Sequence, residues 1–557
     1  MISALEVLII GPRGEPSVHE LSHNPKYSDN SIGWRRQMLA LDGYKFSPMQ
    51  CLSYLINQGK GEGADLYYTG FECLQPSIAY LTSFLRARGI STAYINNYNG
   101  QLLELNKIIT NERPSVAAIT TTFTFSAIEL AEQVRYVKER SPETIVVIGG
   151  PFVWTLCRGR ANSIQEFMSG IGADYYIQDG QGELSLSRLT KAVCSGGMPE
   201  EVPNVWSYDK LSKIWVCKHR AVETNSMNDN AIDWSLFSDQ ELGNSVFVRT
   251  ARGCAYRCSF CEYPIRQPDY QQMDEQRVSK ELDTLAKRGV KYIQFVDDTF
   301  NIPKGRWINI LKNMTDNEWG FQWMSFFRSA QLQKLEHYEL MANSGCRGVL
   351  LGVESADNDV LKIMNKGATK EQYAIGIRML QQTGIRTNAL IIIGHPGEDF
   401  FKARQTMDFI LNSGVTYLDA QVYFHSQHAP ISSRSSEFEI NEGEYGYITH
   451  NKMSSETANI LVDELFHAAL DSNINWCMNF DEWDFGYLMG KGMSYAQIHK
   501  FSRCVHEIRS MQLKGMRQQT SKQLPMSSLD HKIKSLREHV QSLTLEPARY
   551  SLGLDIK

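Results

Sequence analysis

The chain has no surplus of one charge, no long apolar run and no compact set of cysteine pairs, and each absence closes off a class of function. Its 57 Lys and Arg stand against 62 Asp and Glu, a formal net charge of −5 over 557 residues. The whole-chain field therefore makes no case for a nucleic-acid or membrane partner. No apolar stretch approaches the ~20 residues that span a bilayer. Residues 1–11 run into a strand-like segment without a basic n-region or a cleavage site, so no leader is expected. Cys51, Cys73, Cys157, Cys194, Cys217, Cys346, Cys477 and Cys504 are scattered, unlike the framework of a small secreted domain. Internal repeats and low-complexity tracts are absent too. Hydrophobic content of 42% and charged content of 21% are those of an ordinary globular protein. A reduced, cytoplasmic setting is expected.

What the chain does contain is α/β alternation, twice. Through residues 1–200, strand-like runs at 5–10, 92–96, 116–121, 145–148 and 174–177 alternate with helical patterns at 75–88, 101–112, 126–140, 160–170 and 183–194. That order implies βαβ units and a parallel, Rossmann-like sheet. Segment 12–70 is too long for a βα loop and reads as an insertion with a lid or contact role. In such sheets ligands bind beyond the strand C-termini. There the sequence places Gly11-Pro12-Arg13-Gly14, Thr120-Thr121-Thr122, Gly149-Gly150-Pro151 and Asp179-Gly180-Gln181-Gly182-Glu183. Glycines and short hydroxyl residues admit a flat, amide-rich ligand close to the backbone, although each alone is equally an ordinary turn.

Residues 201–245 read as a linker, and a second series fills 246–430. Strands are expected at 246–250, 292–296, 322–327, 348–352, 386–393 and 417–424, with helices at 274–288, 304–316, 331–344, 369–383 and 399–413. Six strand–helix repeats are too few for an eight-fold barrel, so a partial (β/α)6 barrel follows, active at its strand C-termini. Residues 431–557 read as a mostly helical domain whose Lys/Arg-rich run around 499–537 is a solvated helix face.

Three cysteines do cluster, as Cys254-x3-Cys258-x2-Cys261, immediately after the first strand of the second series. Three thiolates can hold three irons of a [4Fe–4S] cube and leave the fourth iron open to a substrate or cofactor. Clusters with four cysteine ligands use other spacings. A zinc site prefers paired C-x2-C arms and a fourth ligand. Only Cys477 and Cys504 follow late in the chain, so a single cluster is expected.

This motif, with Phe260 before the third cysteine, resembles the signature of the radical S-adenosylmethionine (SAM) superfamily. In that family the amino and carboxylate groups of SAM chelate the open iron, and one-electron reduction yields the 5′-deoxyadenosyl radical. The resemblance implies SAM-binding residues at later strand ends, and candidates stand there in order. Asp297 and Asp298 would meet the ammonium, and Arg328 would pair with the carboxylate as a planar fork. Glu354 and Ser355 would read ribose or amino groups, and Gly394, Pro396 and Gly397 would let adenine lie against backbone.

The preceding domain resembles the cobalamin-binding domain of the B12-dependent radical SAM class. That likeness implies cobalamin held by Gly11, Pro12, Thr120, Thr121, Thr122, Gly149, Gly150, Pro151, Gly180, Gly182 and Glu183. The Asp-x-His-x-x-Gly motif of such domains is missing: His19 stands in the loop with Ser17 and Ser22 where Asp and Gly would be. Methylcobalamin is therefore expected base-off, with no protein histidine on cobalt. The layout from Gly11 onward and around Thr120-Thr121-Thr122 further resembles the subgroup that contains the phosphinothricin-pathway P-methyltransferase.

What the resemblance implies is a methyltransferase moving methyl from methylcobalamin to an unactivated carbon or a phosphinate phosphorus of a natural-product precursor. A cyclase or rearrangement enzyme without net methylation is the alternative. Tyr423, His425 and Glu262 are expected on the substrate-facing wall. A small-molecule or peptide substrate, an external one-electron reductant such as flavodoxin or ferredoxin, and a monomeric state complete the expectation.

Overall fold

A computed structural model describes residues 5–29, 31–60, 66–124, 126–159, 161–443, 446–477, 482–517 and 526–550. The chain divides into two compact units, one of Met1–Glu15, Phe71–Leu242 and Gln271–Arg277, the other of Pro16–Gly70, Gly243–Tyr270 and Val278–Lys557.

In the first unit, β1 (Val7–Ile10), β2 (Thr92–Ile95), β3 (Val116–Thr120), β4 (Ile145–Gly149) and β5 (Tyr175–Ile177) are parallel in the order β2-β1-β3-β4-β5. β1 (VLII) and β3 (VAAIT) are buried along their whole length, as strands covered on both faces must be. Helices Ala127–Arg140 and Ala161–Ile171 cover one face through Leu130, Val134 and Val137 and through Ile164, Met168 and Ile171, and helix Pro76–Arg86 packs on the other. The chain leaves β1 toward β2 on one side and lies beside β3 on the other. This reversal opens a crevice at the strand C-termini. The expected linker is in part sheet: β6 (Val205–Asp209) and β7 (Ile214–Val216) extend the edge antiparallel to β5. Trp215 anchors them, packing edge-on to Tyr176 with ring centroids 5.1 Å apart.

The second unit holds seven parallel strands neighbouring one another in chain order. They are β8 (Ser245–Val248), β9 (Tyr292–Phe295), β10 (Gln322–Phe327), β11 (Cys346–Glu354), β12 (Arg386–Ile393), β13 (Tyr417–Val422) and β14 (Asn475–Trp476). The first six are the repeats read from the sequence. The seventh is two residues long and comes from the region read as helical. Among the described residues β8 and β14 do not pair, so the sheet is open.

The segment expected as an insertion in the first domain belongs to the second unit. Arg36 Nη1 donates to Asp463 Oδ1 at 2.7 Å and to Asn459 Oδ1 at 2.8 Å, and Arg35 Nη2 lies 3.0 Å from Asp463 Oδ2. Arg509 Nη2 donates to Asp29 Oδ1 at 2.8 Å. Part of the charge read as a solvated face is spent within the unit: besides Arg509, Lys532 pairs with Glu507 and Arg537 with Asp42, both at 2.6 Å, while Lys500, Lys514 and Lys534 stay exposed. Among the described residues no helix is long and apolar enough to cross a membrane.

Asp463, 1% exposed, is the hub of the buried ion pairs. Asp463→Ala leaves two arginines without their counter-charge and is expected to cost about 3–5 kcal/mol. Urea unfolding checks this, and a loss under about 1 kcal/mol would place the pairs in solvent.

Candidate functional site

The cysteine loop leaves the end of β8 under tight control. Asp297, just beyond β9, accepts from Thr250 N–H and from Thr250 Oγ1, both at 2.5 Å. Arg306 Nη1 and Nη2 then donate to Thr250 Oγ1 at 3.1 Å and Thr250 O at 2.9 Å. The Asp297 carboxylate, buried and raised in pKa by desolvation, is therefore spent on fixing the loop. It is not the free acceptor the sequence suggested. Gly253 follows with φ +82; a Cβ there would fall 2.8 Å from Asp269 O, so glycine is required.

Inside the loop, Ser259 N–H donates to Met364 O at 2.8 Å, and Ser259 O accepts from Ile431 N–H at 2.8 Å. Asn365 Nδ2 donates to Arg257 O at 2.7 Å. Cys258 is buried, and Cys254 and Cys261 are partly so. Burial pushes the Cys261 thiol up to about 11. Such a thiol binds metal only if the metal displaces its proton. Among the described residues no three His, Cys, Asp or Glu side chains are gathered as for one ion. A cube needs a different arrangement, because each thiolate ligates its own iron. The Ser259 hydroxyl is buried without a partner within the loop.

Around the loop the expected SAM residues divide into free and committed groups. Asp298 is pushed up to about 7 by burial, opposed by Arg249 and a bond from Tyr263, which leaves a carboxyl poised near neutrality. Glu354 ends β11 at φ +63, where the register shifts against β12, and Lys366 Nζ donates to its Oε1 at 2.9 Å. Gly352 makes room, since a Cβ there would lie 2.7 Å from Glu354 Oε1. Ser355 is committed: its hydroxyl lies 3.2 Å from Thr406 Oγ1 and accepts from Asp357 N–H at 3.2 Å. Arg328 also differs from expectation. Nη1 donates to Cys258 Sγ at 3.6 Å, and Nη2 donates to Lys366 O.

The loop after β12 carries two buried titratable groups. Gly394 N–H donates to Glu398 Oε2 at 2.6 Å, while Glu398 Oε1 is buried without a partner. Burial raises this carboxyl to about 8. His395 Nδ1 lies 2.9 Å from Pro396 O, and burial holds the ring at about 3, so it is neutral. Gly397 has no room for a side chain: a Cβ would lie 2.7 Å from Ile363 Cδ1. Phe260 stands edge-on to His395, with ring centroids 6.3 Å apart.

Two of the expected substrate-facing residues are covered. Tyr423 and His425 are 3% and 5% exposed. Tyr423 packs among Ala429, Ile431, Phe438 and Ile448, and its hydroxyl lies 3.3 Å from His425 Nδ1. Glu262 is partly exposed, and its carbonyl accepts from Ile265 N–H at 2.9 Å and Arg266 N–H at 3.0 Å. The accessible polar side chains of β13 are instead Asp419 and Gln421, on the face opposite the buried Leu418, Ala420 and Val422. Gln421 Nε2 donates to Asp419 Oδ1 at 2.6 Å, and burial raises the Asp419 carboxyl. Sequence reading missed both, although a polar residue at every second position of an apolar strand was the available signal.

In the first unit the expected ligand residues do gather at the strand C-termini. Gly11 N–H donates to Ile95 O at 2.8 Å, and a Cβ on Gly11 would lie 2.3 Å from Asn96 O. Pro12 O accepts from Tyr98 N–H at 3.0 Å. Thr121 Oγ1 donates to Gly149 O at 2.9 Å and accepts from Phe152 N–H at 3.2 Å, just inside the helix that Pro151 opens. Gly150, at φ +109, lies so close that a Cβ would be 2.8 Å from Thr121 Oγ1. Thr122 and Phe123 form the following turn, with Phe123 at φ +62 and 44% exposed. Gly180 lies in the loop after β5, and Gly182 caps helix Glu183–Ser195. Thr120 Oγ1 and Gln181 Oε1 are buried without partners, a fit for a ligand rich in amides. His19 lies in the other unit, exposed on helix Val18–His23 and stacked on His23.

Comparison with known proteins bears on the domain and the fold. Residues 248–410 match the family model of the radical SAM superfamily, so the chain contains a radical SAM domain. An uncharacterised methyltransferase of Pyrococcus horikoshii is 25% identical over 320 residues, covering 56% of this chain and 68% of that protein. The bacteriochlorophyllide d C-12(1)-methyltransferase of Chlorobaculum tepidum is 29% identical over 179 residues, 30% of this chain and 38% of the relative. Among solved structures, the radical SAM methyltransferase TsrM of Kitasatospora setae, with cobalamin and a [4Fe–4S] cluster bound, superposes with TM-score 0.57 at 15% identity. That match covers 97% of this chain and all of TsrM. The cobalamin-dependent SAM radical enzyme OxsB, with aqua-cobalamin and SAM bound, gives TM-score 0.59 at 16% identity, covering 87% of this chain and 75% of OxsB. The chain shares their fold.

Glu398 offers a test of the buried loop. Its carboxyl, ordinarily near 4.5, titrates near 8 in the folded chain. Between those values the unfolded state has lost a proton that the folded state keeps, so stability falls as pH rises and levels off above 8. Glu398→Gln removes this dependence. Its melting temperature should match the parent at pH 4.5 and exceed it progressively up to pH 8. A constant difference between the two proteins across that range would mean the carboxylate is solvated.

Proposed function

We propose that this protein is a cobalamin-dependent radical SAM methyltransferase acting on a small-molecule or peptide precursor. The observation that carries the reading is the three-cysteine loop clamped by Asp297 at the mouth of an open parallel sheet, in a chain that follows the TsrM fold over 97% of its length.

Cys254, Cys258 and Cys261 would hold the cluster, which supplies, with SAM, the electron transfer that yields a 5′-deoxyadenosyl radical. Around it the chain's own residues bind and orient. Asp298, near its titration point, can accept from the SAM ammonium without the cost of a permanently ionised buried group. Glu354, steadied by Lys366, offers its second oxygen to ribose hydroxyls. The loop from Gly394 to Glu398 gives adenine an uncharged wall, because His395 is neutral and Glu398 holds its proton at pH 7. Asp419 and Gln421 are the polar groups that the last long strand leaves open to a substrate.

Cobalamin, which carries the methyl group in this class, would occupy the crevice at the strand ends of the first unit, against the Gly11–Pro12 and Thr120–Thr122 loops. Those loops contain no histidine, which supports a base-off cofactor without a protein nitrogen ligand on cobalt. An unactivated carbon or a phosphinate phosphorus is the proposed acceptor, and flavodoxin or ferredoxin the proposed electron donor. Ring closure without methylation is the second reading, favoured by the name of a relative, the anaerobic magnesium-protoporphyrin IX monomethyl ester cyclase of Rubrivivax gelatinosus, 23% identical over 346 residues.

The full chain, reconstituted anaerobically with iron, sulfide and cobalamin and given dithionite and methyl-deuterated SAM, should form both S-adenosylhomocysteine and 5′-deoxyadenosine. Formation of 5′-deoxyadenosine without S-adenosylhomocysteine would overturn methyl transfer and leave the ring-forming reading.

A further inference from the structure

We propose that Arg328 sets the reduction potential of the iron–sulfur cluster, its guanidinium donating a charge-assisted hydrogen bond to the sulfur of Cys258. The inference rests on the reading that Cys254, Cys258 and Cys261 hold a cluster, and it concerns what this chain adds to them.

Arg328 is built for a fixed task. It follows β10, and its backbone is held on both sides by one side chain: Asn301 Nδ2 donates to Arg328 O at 2.8 Å, and Arg328 N–H donates to Asn301 Oδ1 at 3.1 Å. The guanidinium is buried, with Nη1 on Cys258 Sγ at 3.6 Å and Nη2 on Lys366 O. Its face stacks on Tyr256, with Cζ 3.5 Å from the ring centroid. Tyr256 and Cys258 lie on the same loop, so the charge is gripped by the cysteine segment itself. An arginine meant only to meet an incoming carboxylate would keep its planar fork open. Here both terminal nitrogens are engaged, one of them by a cluster ligand.

Reduction moves one electron from an external donor such as dithionite onto the cluster and makes it more negative by one charge. A cation hydrogen-bonded to a ligand sulfur stabilises the reduced state more than the oxidised state. Bonds to the sulfurs, local charge and burial are the protein's means of setting such potentials. Arg328 is therefore a positioning residue that acts through Cys258.

The test is an electron paramagnetic resonance redox titration of the reconstituted full chain, comparing the parent with Arg328→Gln and Arg328→Lys. Arg257→Gln serves as the control, because that guanidinium binds Pro264 O and Pro268 O at 2.7 and 3.1 Å rather than a sulfur. Arg328→Gln should keep its iron and sulfide but lower the reduction equilibrium constant about tenfold, a shift of about 59 mV to more negative potential for one electron. Arg328→Lys should recover part of the shift, and Arg257→Gln should show none. An unchanged potential in a cluster-bearing Arg328→Gln, or an equal shift in Arg257→Gln, would overturn the proposal. Loss of the cluster from both Arg328 variants would likewise overturn it in favour of a purely structural role. A parent protein that takes up no cluster would instead sink the underlying reading.

Discussion

One buried carboxylate fixes where the chemistry of this protein begins. Asp297 lies just past the end of β9 and grips Thr250, two residues past the end of β8, through both the N–H and the hydroxyl at 2.5 Å. Burial of that carboxylate is costly unless its oxygens are satisfied, and here Thr250 and Arg306 together make the arrangement self-consistent. The consequence is directional. With Thr250 clamped, the chain must turn at Gly253, and the three cysteines follow on a loop that has no freedom to swing away from the strand ends. The loop's far side is then tied at Ser259 to Met364 and Ile431, residues that come after β11 and β13.

That constraint explains a division among the polar residues. Asp297, Ser355 and Asn301 are occupied by the protein's own backbone and side chains, so they hold the site's shape. Asp298, Asp419 and Gln421 keep accessible surface at the same end of the sheet. Glu398 and His395 are buried and both uncharged at neutral pH, one protonated and the other deprotonated, so neither adds a charge to the buried part of the loop after β12. In a site where a charged cofactor and a neutral base would lie close together, this separation limits stray electrostatics.

Much of this was legible in the sequence, and what was not has a physical cause. Strands of parallel sheets are buried on both faces, so apolar runs such as Val7–Ile10, Gln322–Phe327 and Arg386–Ile393 stood out to within one or two residues. The cysteine spacing was legible because all three thiols stand within eight residues of one loop. The home of segment 16–70 was not, because it depends on Arg36 meeting Asp463 across 427 positions of sequence. The hairpin Val205–Val216 hid in a mixed polar stretch whose edge position demands little hydrophobicity. Tyr423 and His425 were legible as a strand end but not as buried, since the cover over Tyr423 comes from Ala429, Ile431, Phe438 and Ile448, which follow it in the chain. Arg328 was legible as a cation near the site. Its choice of a sulfur over an open fork depends on Tyr256 and Lys366, which no local pattern reveals.

The central claim is that Cys254, Cys258 and Cys261 hold a cluster with one iron left free for SAM. Mössbauer spectra of the chain reconstituted anaerobically with iron-57, taken before and after adding SAM, test it most directly. The account predicts a [4Fe–4S] signal in which one iron of the four shifts to a higher isomer shift when SAM binds. Four irons that stay equivalent and unmoved by SAM, or a protein that retains no four-iron cluster, would contradict it.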